Sequence, residues 1–342
     1  MKITTFGIDL AKNVFQVHGV NDQGKAVLRK ALRRDQVLEF FIKLSPCLVG
    51  MEACASAHYW ARKLQSQGHT VKLMAPQYVK PYVKTNKNDA ADAEAICEAV
   101  GRPNMRFVPI KNVEQQSVLS LHRARQGFVK SRTAQANQIR DLLSEYCIVI
   151  RQGICNVTKR LPHILEECAN ELPGVFCQLI QRLGDHLKEL DRQVGELEVQ
   201  IKIWHKQNEA SKKLEEIPGV GPITATAIVA SIGDAKCFKD GRQLAAWLGL
   251  VPRQHSSGGK QMLLGISKRG DSYLRTLLIH GARSVLRAAE RKVHHAGSWL
   301  ANLMERRNFN VAVVALANKN ARIIWALLAH ERKYQINFAS GH

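Results

Sequence analysis

The sequence has no Cys-x-x-Cys pair. Its eight cysteines, at 47, 54, 97, 147, 155, 168, 177 and 237, show no metal-ligand spacing. That excludes zinc-ribbon and dithiol redox chemistry and reads as incidental thiols in a reducing compartment. Long apolar runs are also missing. The longest near the end, Val311–Ala317, is far too short to cross a bilayer. The first residues, MKITTFGIDL, enter a strand pattern at once and do not read as a signal peptide. The expectation is a soluble cytoplasmic protein, nucleoid-associated in a bacterial cell, with no membrane partner. Acidic residues are scarce: 29 Asp+Glu stand against 50 Lys+Arg, a net charge of +21. A small-molecule enzyme rarely needs that excess, so a polyanion, most simply nucleic acid, is the expected partner. The charge is +7 over 1–107, +2 over 108–210 and +12 over 211–342. Its concentration at the C-terminal end favours a binding surface over general solubility.

What is present divides the chain into three parts. Residues 1–110 alternate strands and helices. Ile3–Leu10, Val14–Val20 and Ala26–Leu32 read as strands, the last two joined by the turn residues Asn21-Asp22-Gln23-Gly24. Helix spacing at Asp35–Leu44 is followed by a buried strand, Cys47–Glu52, then helix Ser56–Gln67, strand His69–Ala75, helix Asp89–Val100 and a short strand, Arg106–Ile110. An antiparallel meander that continues into a βαβ unit is the order of an RNase H-like mixed sheet. Residues 111–210 show no strand pattern. Glu114–Tyr146 reads as one helix. In a second, Phe176, Ile180, Leu183, Leu187, Leu190, Val194, Leu197, Ile201 and Trp204 form an unbroken heptad seam. That seam suits either an intramolecular hairpin with 114–146 or self-association. Arg125, Arg132 and Gln135 interrupt the matching stripe on 114–146, which favours a coiled-coil homo-oligomer, a dimer or tetramer. Residues 211–342 read as mainly helical. They open with a short helix, the turn Pro218-Gly219-Val220-Gly221 and an apolar helix. In a helix-hairpin-helix, Gly219 and Gly221 would expose backbone N–H groups to a phosphate; a helical packing corner is the alternative.

Four carboxylates stand out. Asp9 sits in an apolar strand, where an unpartnered charge costs several kcal/mol. Glu52 ends the next buried strand. Asp89 and Asp92, three apart, share one face of a helix start. In an RNase H-like sheet these ends converge, and clustered acids demand a hard divalent cation, Mg²⁺ or Mn²⁺, suited to phosphodiester displacement. Taken singly, Asp89 reads equally as an N-cap, Asp92 as a dipole partner and Glu52 as a surface acid. Near the other end, Pro252–Gly265 reads as a flexible polar loop with adjacent hydroxyls, Ser256 and Ser257, among cations.

Phe6-Gly7-Ile8-Asp9-Leu10-Ala11-Lys12, Gly50-Met51-Glu52-Ala53 and Lys87-Asn88-Asp89-Ala90-Ala91-Asp92-Ala93 resemble the motifs of DEDD-type insertion-sequence transposases. These are Piv-like recombinases with a RuvC-like N-terminal domain. Gly249–Arg253, Ser256–Lys260, Ile266–Gly270, Leu274-Arg275 and Ala315–Lys319 are similar to the C-terminal transposase domain of that family. The resemblance covers nearly the whole chain. It implies a DNA recombinase with Asp9, Glu52, Asp89 and Asp92 as its metal-binding carboxylates. It also implies a nucleophilic serine that joins covalently to DNA, Ser257 with Ser256 as the fallback. Arg253, Lys260, Lys268, Arg269 and Arg275 are the cations expected to hold nucleic acid. The family is associated with an element-encoded guide RNA, so RNA is an expected partner beside DNA. Two other classes compete. A RuvC-like Holliday-junction nuclease or junction-binding protein would use the carboxylates and leave Ser257 idle. An actin-like ATPase would need a second Asp-x-Gly-Gly phosphate loop, which the sequence lacks.

Overall fold

Alternating apolar residues build the first sheet. In the computed structural model, which describes residues 2–84, 88–167, 171–291 and 299–335, they form β1 (Thr5–Asp9), β2 (Val14–Val20) and β3 (Ala26–Arg33). Lys87 of the third motif, and Cys168, lie outside the described residues. Then follow α1 (Val37–Ile42), β4 (Leu48–Glu52), α2 (Ala57–Ser66), β5 (Thr70–Met74), α3 (Pro76–Val79), α4 (Asp89–Val100) and β6 (Phe107–Val108). The sequence reading missed α3, a single turn begun by Pro76, and the 3-10 turn Lys80–Tyr82 that follows it. The six strands lie in the order β3-β2-β1-β4-β5-β6. β1 pairs antiparallel with β2 and parallel with β4, and β4 pairs parallel with β5. This mixed order is consistent with an RNase H-like domain.

The chain divides into two compact units, Met1–Val113 and Glu114–His342. The first has its core in Phe6, Ile8, Phe15, Phe41, Val49 and Met51, all completely buried. Two glycines decide where α4 lies. A Cβ on Gly7 in β1 would stand 2.2 Å from the carbonyl oxygen of Ala93, and one on Gly50 in β4 would stand 2.7 Å from Cβ of Val100. The absence of both, with Ala93, Ala95 and Ala99 buried on the helix, lets α4 lie directly on the sheet. Its N-terminus is thereby brought to the end of β1.

The second unit is mostly helical: α5 (Val113–Ser144), α6 (Ile154–Glu167), α7 (Gly174–Gln207), α8 (Glu209–Glu215), α9 (Pro222–Ile232) and α10 (Gly241–Trp247), then α11 (Ser272–Glu290), α12 (Trp299–Arg306) and α13 (Phe309–His330). One two-stranded sheet, β7 (Pro252–Ser257) with β8 (Lys260–Ile266), stands between α10 and α11. The expectation that the α7 seam self-associates is corrected here. Ile180, Leu187, Val194 and Ile201 are buried within the chain, and Ile180 and Leu187 share a core with Ile139 and Leu143 of α5 and Leu161 of α6. The residues that seemed to interrupt α5 have partners on α7. Arg125 donates to Glu198 at 2.6 Å, Arg132 to Asp191 at 2.5 Å, and Gln135 meets His186 at 2.8 Å. Numbers rise on one helix as they fall on the other, so α5 and α7 form an antiparallel hairpin.

By length and composition α13 is apolar enough to cross a membrane, which the run Val311–Ala317 alone did not suggest. Its buried residues, among them Val313, Leu316, Ala321 and Ile324, join those of α9, α10 and α11 in one core, as a core helix does. Among the described residues the cysteines are free thiols, Cys47 and Cys97 buried and Cys54, Cys147, Cys155 and Cys237 exposed.

Candidate active site

Three of the four predicted carboxylates meet. Asp9, Asp89 and Asp92 each offer an oxygen, and these oxygens lie within 4.8 Å of one another. Asp9 is half-buried at the end of β1, and Asp89 and Asp92 occupy the first turn of α4. The cap reading of Asp89 is corrected: Asn88 is the N-cap, its Oδ1 accepting from the Ala91 amide at 2.7 Å. Asp89 is therefore not needed to close the helix. An Asn just before a helical run is an N-cap signal that the sequence already carried. Glu52 is not one of the three. It ends β4, which runs parallel to β1 with Ile8 opposite Met51, so the two carboxylates close neighbouring strands. Their shared field is felt at Cys54, whose thiol is pushed up by desolvation first, then by Glu52 and Asp9. A set of hard oxygen donors, crowded enough to repel one another, fits a divalent cation of the Mg²⁺ type.

The serines belong to the second unit. Pro252–Gly265 is an antiparallel hairpin rather than a flexible loop. Ser256 pairs with Gln261 and Ser257 with Lys260. Gly258 and Gly259, at φ +57 and +77, make the two-residue turn. Only glycine takes that geometry twice without strain, and Gly-Gly between two polar strands was a hairpin signal. Every residue of β7 is exposed. Alternation sends Ser256 and Ser257 to opposite faces. Ser256 accepts a hydrogen bond from Gln254 Nε2 at 2.9 Å. Arg253 and Lys260 flank the serines on the same hairpin.

At the hairpin base Lys268 has φ +53, and the Ser267 amide donates to Val251 O at 2.8 Å. Arg275, expected to grip phosphate, also has a packing role: its Nη1 donates to Leu248 O and Arg269 O, both at 3.1 Å. It clasps the segments on either side of the hairpin. Gly219 also has a packing duty. Its added Cβ would stand 2.7 Å from Gly281 O on α11, and Asn320 Nδ2 donates to Pro218 O at 2.9 Å. The turn is thus a packing corner against α11 and α13, and only Gly221, exposed at the start of α9, keeps the open position first read for both glycines.

Carboxylates gathered at the end of a mixed sheet are a means of holding divalent cations against a phosphodiester. Comparison with known proteins agrees. Residues 6–148 match the model of the IS110-type DEDD transposases, and residues 211–296 match the Transposase IS116/IS110/IS902 family. The chain is 53% identical to a "Probable family 20 transposase" of Pseudomonas aeruginosa, over 98% of this chain and 99% of that one. It is 46% identical to the "Transposase for insertion sequence element IS1111A" of Coxiella burnetii, over 97% and 92%. A "Pilin gene-inverting protein" of Moraxella bovis is 25% identical over 81% of each chain. The chain belongs to the IS110/IS116 family of DEDD-type insertion-sequence transposases, enzymes that cut and rejoin DNA.

Proposed function

We propose that this transposase cuts and rejoins DNA with Asp9, Asp89 and Asp92, joined by Glu52, as ligands for Mg²⁺ or Mn²⁺, and with Ser257 as nucleophile. The convergence of three carboxylates from two distant sequence segments carries the reading. A divalent cation bound there supplies Lewis-acid polarisation of the scissile phosphate. Ser257 Oγ forms a bond to phosphorus as its proton leaves to solvent. The bridging P–O bond breaks, one strand end leaves as an alcohol, and the other stays on the protein as a phosphoseryl ester. A second strand's hydroxyl reverses the step and frees the serine. Arg253, Lys260, Lys268 and Arg269 are the cations near Ser257 in sequence suited to hold the backbone, with Gly221 at a helix N-terminus.

The three-part division into 1–110, 111–210 and 211–342 belongs to the same proposal, as do an RNase H-like (RuvC-like) fold for the first part, direction by an element-encoded RNA, assembly into an oligomer and a cytoplasmic site of action. The test is a denaturing gel with labelled DNA. Asp9→Ala should abolish strand cleavage, and Ser257→Ala should abolish both cleavage and the protein-linked band, while each still binds DNA. Cutting by Ser257→Ala but not by Asp9→Ala would make water the nucleophile and the protein a junction nuclease. Recombination by Asp9→Ala at the unsubstituted rate would sink the carboxylate assignment.

A further inference from the structure

The motif Ala315–Lys319, singled out in the sequence, takes no part in either site above. In the fold it lies on α13 along a groove of about 1290 Å³, walled on the other side by the base of the β7–β8 hairpin. Asn318 Nδ2 fastens the two walls by donating to Leu250 O at 3.1 Å. The groove is larger than the usual small-molecule site of about 300–1,000 Å³, which suits a segment of polymer. Its lining is of two kinds. Val311, Val314 and Ile323 give it apolar walls, while Lys319, Arg322, Arg332 and Lys333 bring four cations. Among the described residues that line it there is no Asp or Glu. The occupant must therefore be apolar in part and negatively charged in part.

Two aromatic rings narrow the choice. Trp299 and Tyr334 both line the groove. Lys319 Nζ sits 4.1 Å from the centroid of the Trp299 ring, which pins the indole from one face by a cation–π contact. Trp299 is nevertheless 42% exposed, so apolar surface is offered to a flat partner. Burial first, and then Arg322, lower the pKa of Lys319, so an incoming phosphate relieves a desolvated ammonium. A duplex, with its bases stacked inside, has nothing to offer the apolar walls. A strand with its bases splayed out satisfies rings, walls and cations together.

We infer that this groove holds unstacked bases of a single-stranded nucleic acid, with Trp299 as the stacking platform and Arg332 and Lys333 on the flanking phosphates. The inference rests on the proposed function only in taking nucleic acid as the substrate; it uses neither the carboxylates nor Ser257.

Fluorescence anisotropy of the full-length protein tests it, with labelled oligothymidine, oligouridine, a duplex and an abasic strand of equal length. Base stacking predicts that the abasic strand binds about ten-fold or more weakly than oligothymidine. Trp299→Ala should bring oligothymidine down to the abasic level, Trp299→Phe should keep most of the affinity, and duplex binding should not change. The double variant Arg332→Ala with Lys333→Ala, both exposed, should weaken single-strand binding without disturbing the fold. The oligouridine arm shows whether RNA or DNA is the better occupant. Unchanged single-strand affinity in both sets of variants overturns the inference. So does equal loss on strand and duplex, or a fall in sedimenting mass for Trp299→Ala, which would mean a protein covers the groove. Asp9→Ala should bind these strands normally, so failure of the catalytic reading and failure of this one give different results.

Discussion

At the scale of single residues, close approach and burial dominate. Gly7 is occupied on its helix side by the backbone of α4, so Gly7→Val must push that helix off the sheet. Overpacking of this kind costs about 1–3 kcal/mol, and it separates Asp89 and Asp92 from Asp9. The expected result is a lowered melting temperature and, in protein still folded, a disproportionate loss of DNA cleavage; equal cleavage rates would show that the carboxylates do not depend on this contact. His122 offers a second test. It is buried between Tyr273 Oη and Thr226 Oγ1, each 3.0 Å away. Thr226 donates to Pro222 O at 2.7 Å, so the imidazole donates to Thr226 and accepts from Tyr273, as only its neutral form can. Burial, then Arg125, lower its pKa from 6.5 to about 4. Between those values the unfolded chain binds the extra proton, so the stability is whole above pH 6.5 and falls as pH falls towards 4. The loss is on the order of 3 kcal/mol in all. Thermal melts of the unsubstituted protein should show this slope, and His122→Asn should flatten it between those pH values.

At the scale of elements, the α5–α7 hairpin carries its own prediction. Leu187 is 1% exposed, and an unpaired carboxylate there has no solvent. Leu187→Asp should cost at least about 3 kcal/mol and melt the helical unit, as seen by circular dichroism. Sedimentation of a smaller but fully helical species would instead restore the seam as an interface between chains. The heptad spacing was legible in the sequence. The choice between a hairpin with 114–146 and self-association was not, because Arg125, Arg132 and Gln135 looked like breaks until Glu198, Asp191 and His186 were seen opposite them. Likewise Ser256 and Ser257 read as part of a flexible loop because polar strands carry no apolar alternation. The Gly258-Gly259 turn was the better signal.

At the scale of the whole molecule, charge governs. The surplus of +12 in 211–342 should give DNA binding that weakens steeply with salt. Each phosphate contact adds about −0.9 to the log–log slope on duplex DNA. Arg253→Ala with Lys260→Ala should flatten that slope by up to about 1.8, measured by titration at several salt concentrations, while Arg275→Ala should chiefly lower the melting temperature. An unchanged slope in the hairpin variant would move the phosphate contacts to another surface.

The sequence by itself determined the succession of strands in the first unit, the limits of α4 as Asp89–Val100, the basic character and the family motifs, because periodicity, charge and local spacing are written residue by residue. Tertiary structure decided what meets what. Asp9 and Asp89 are far apart in the chain and come together because Gly7 and Gly50 let α4 lie on the sheet. The same dependence on distant partners gave Arg275 and Gly219 packing contacts that the sequence did not show, since carbonyls supplied by Leu248, Arg269 and Gly281 belong to segments that only folding brings beside them.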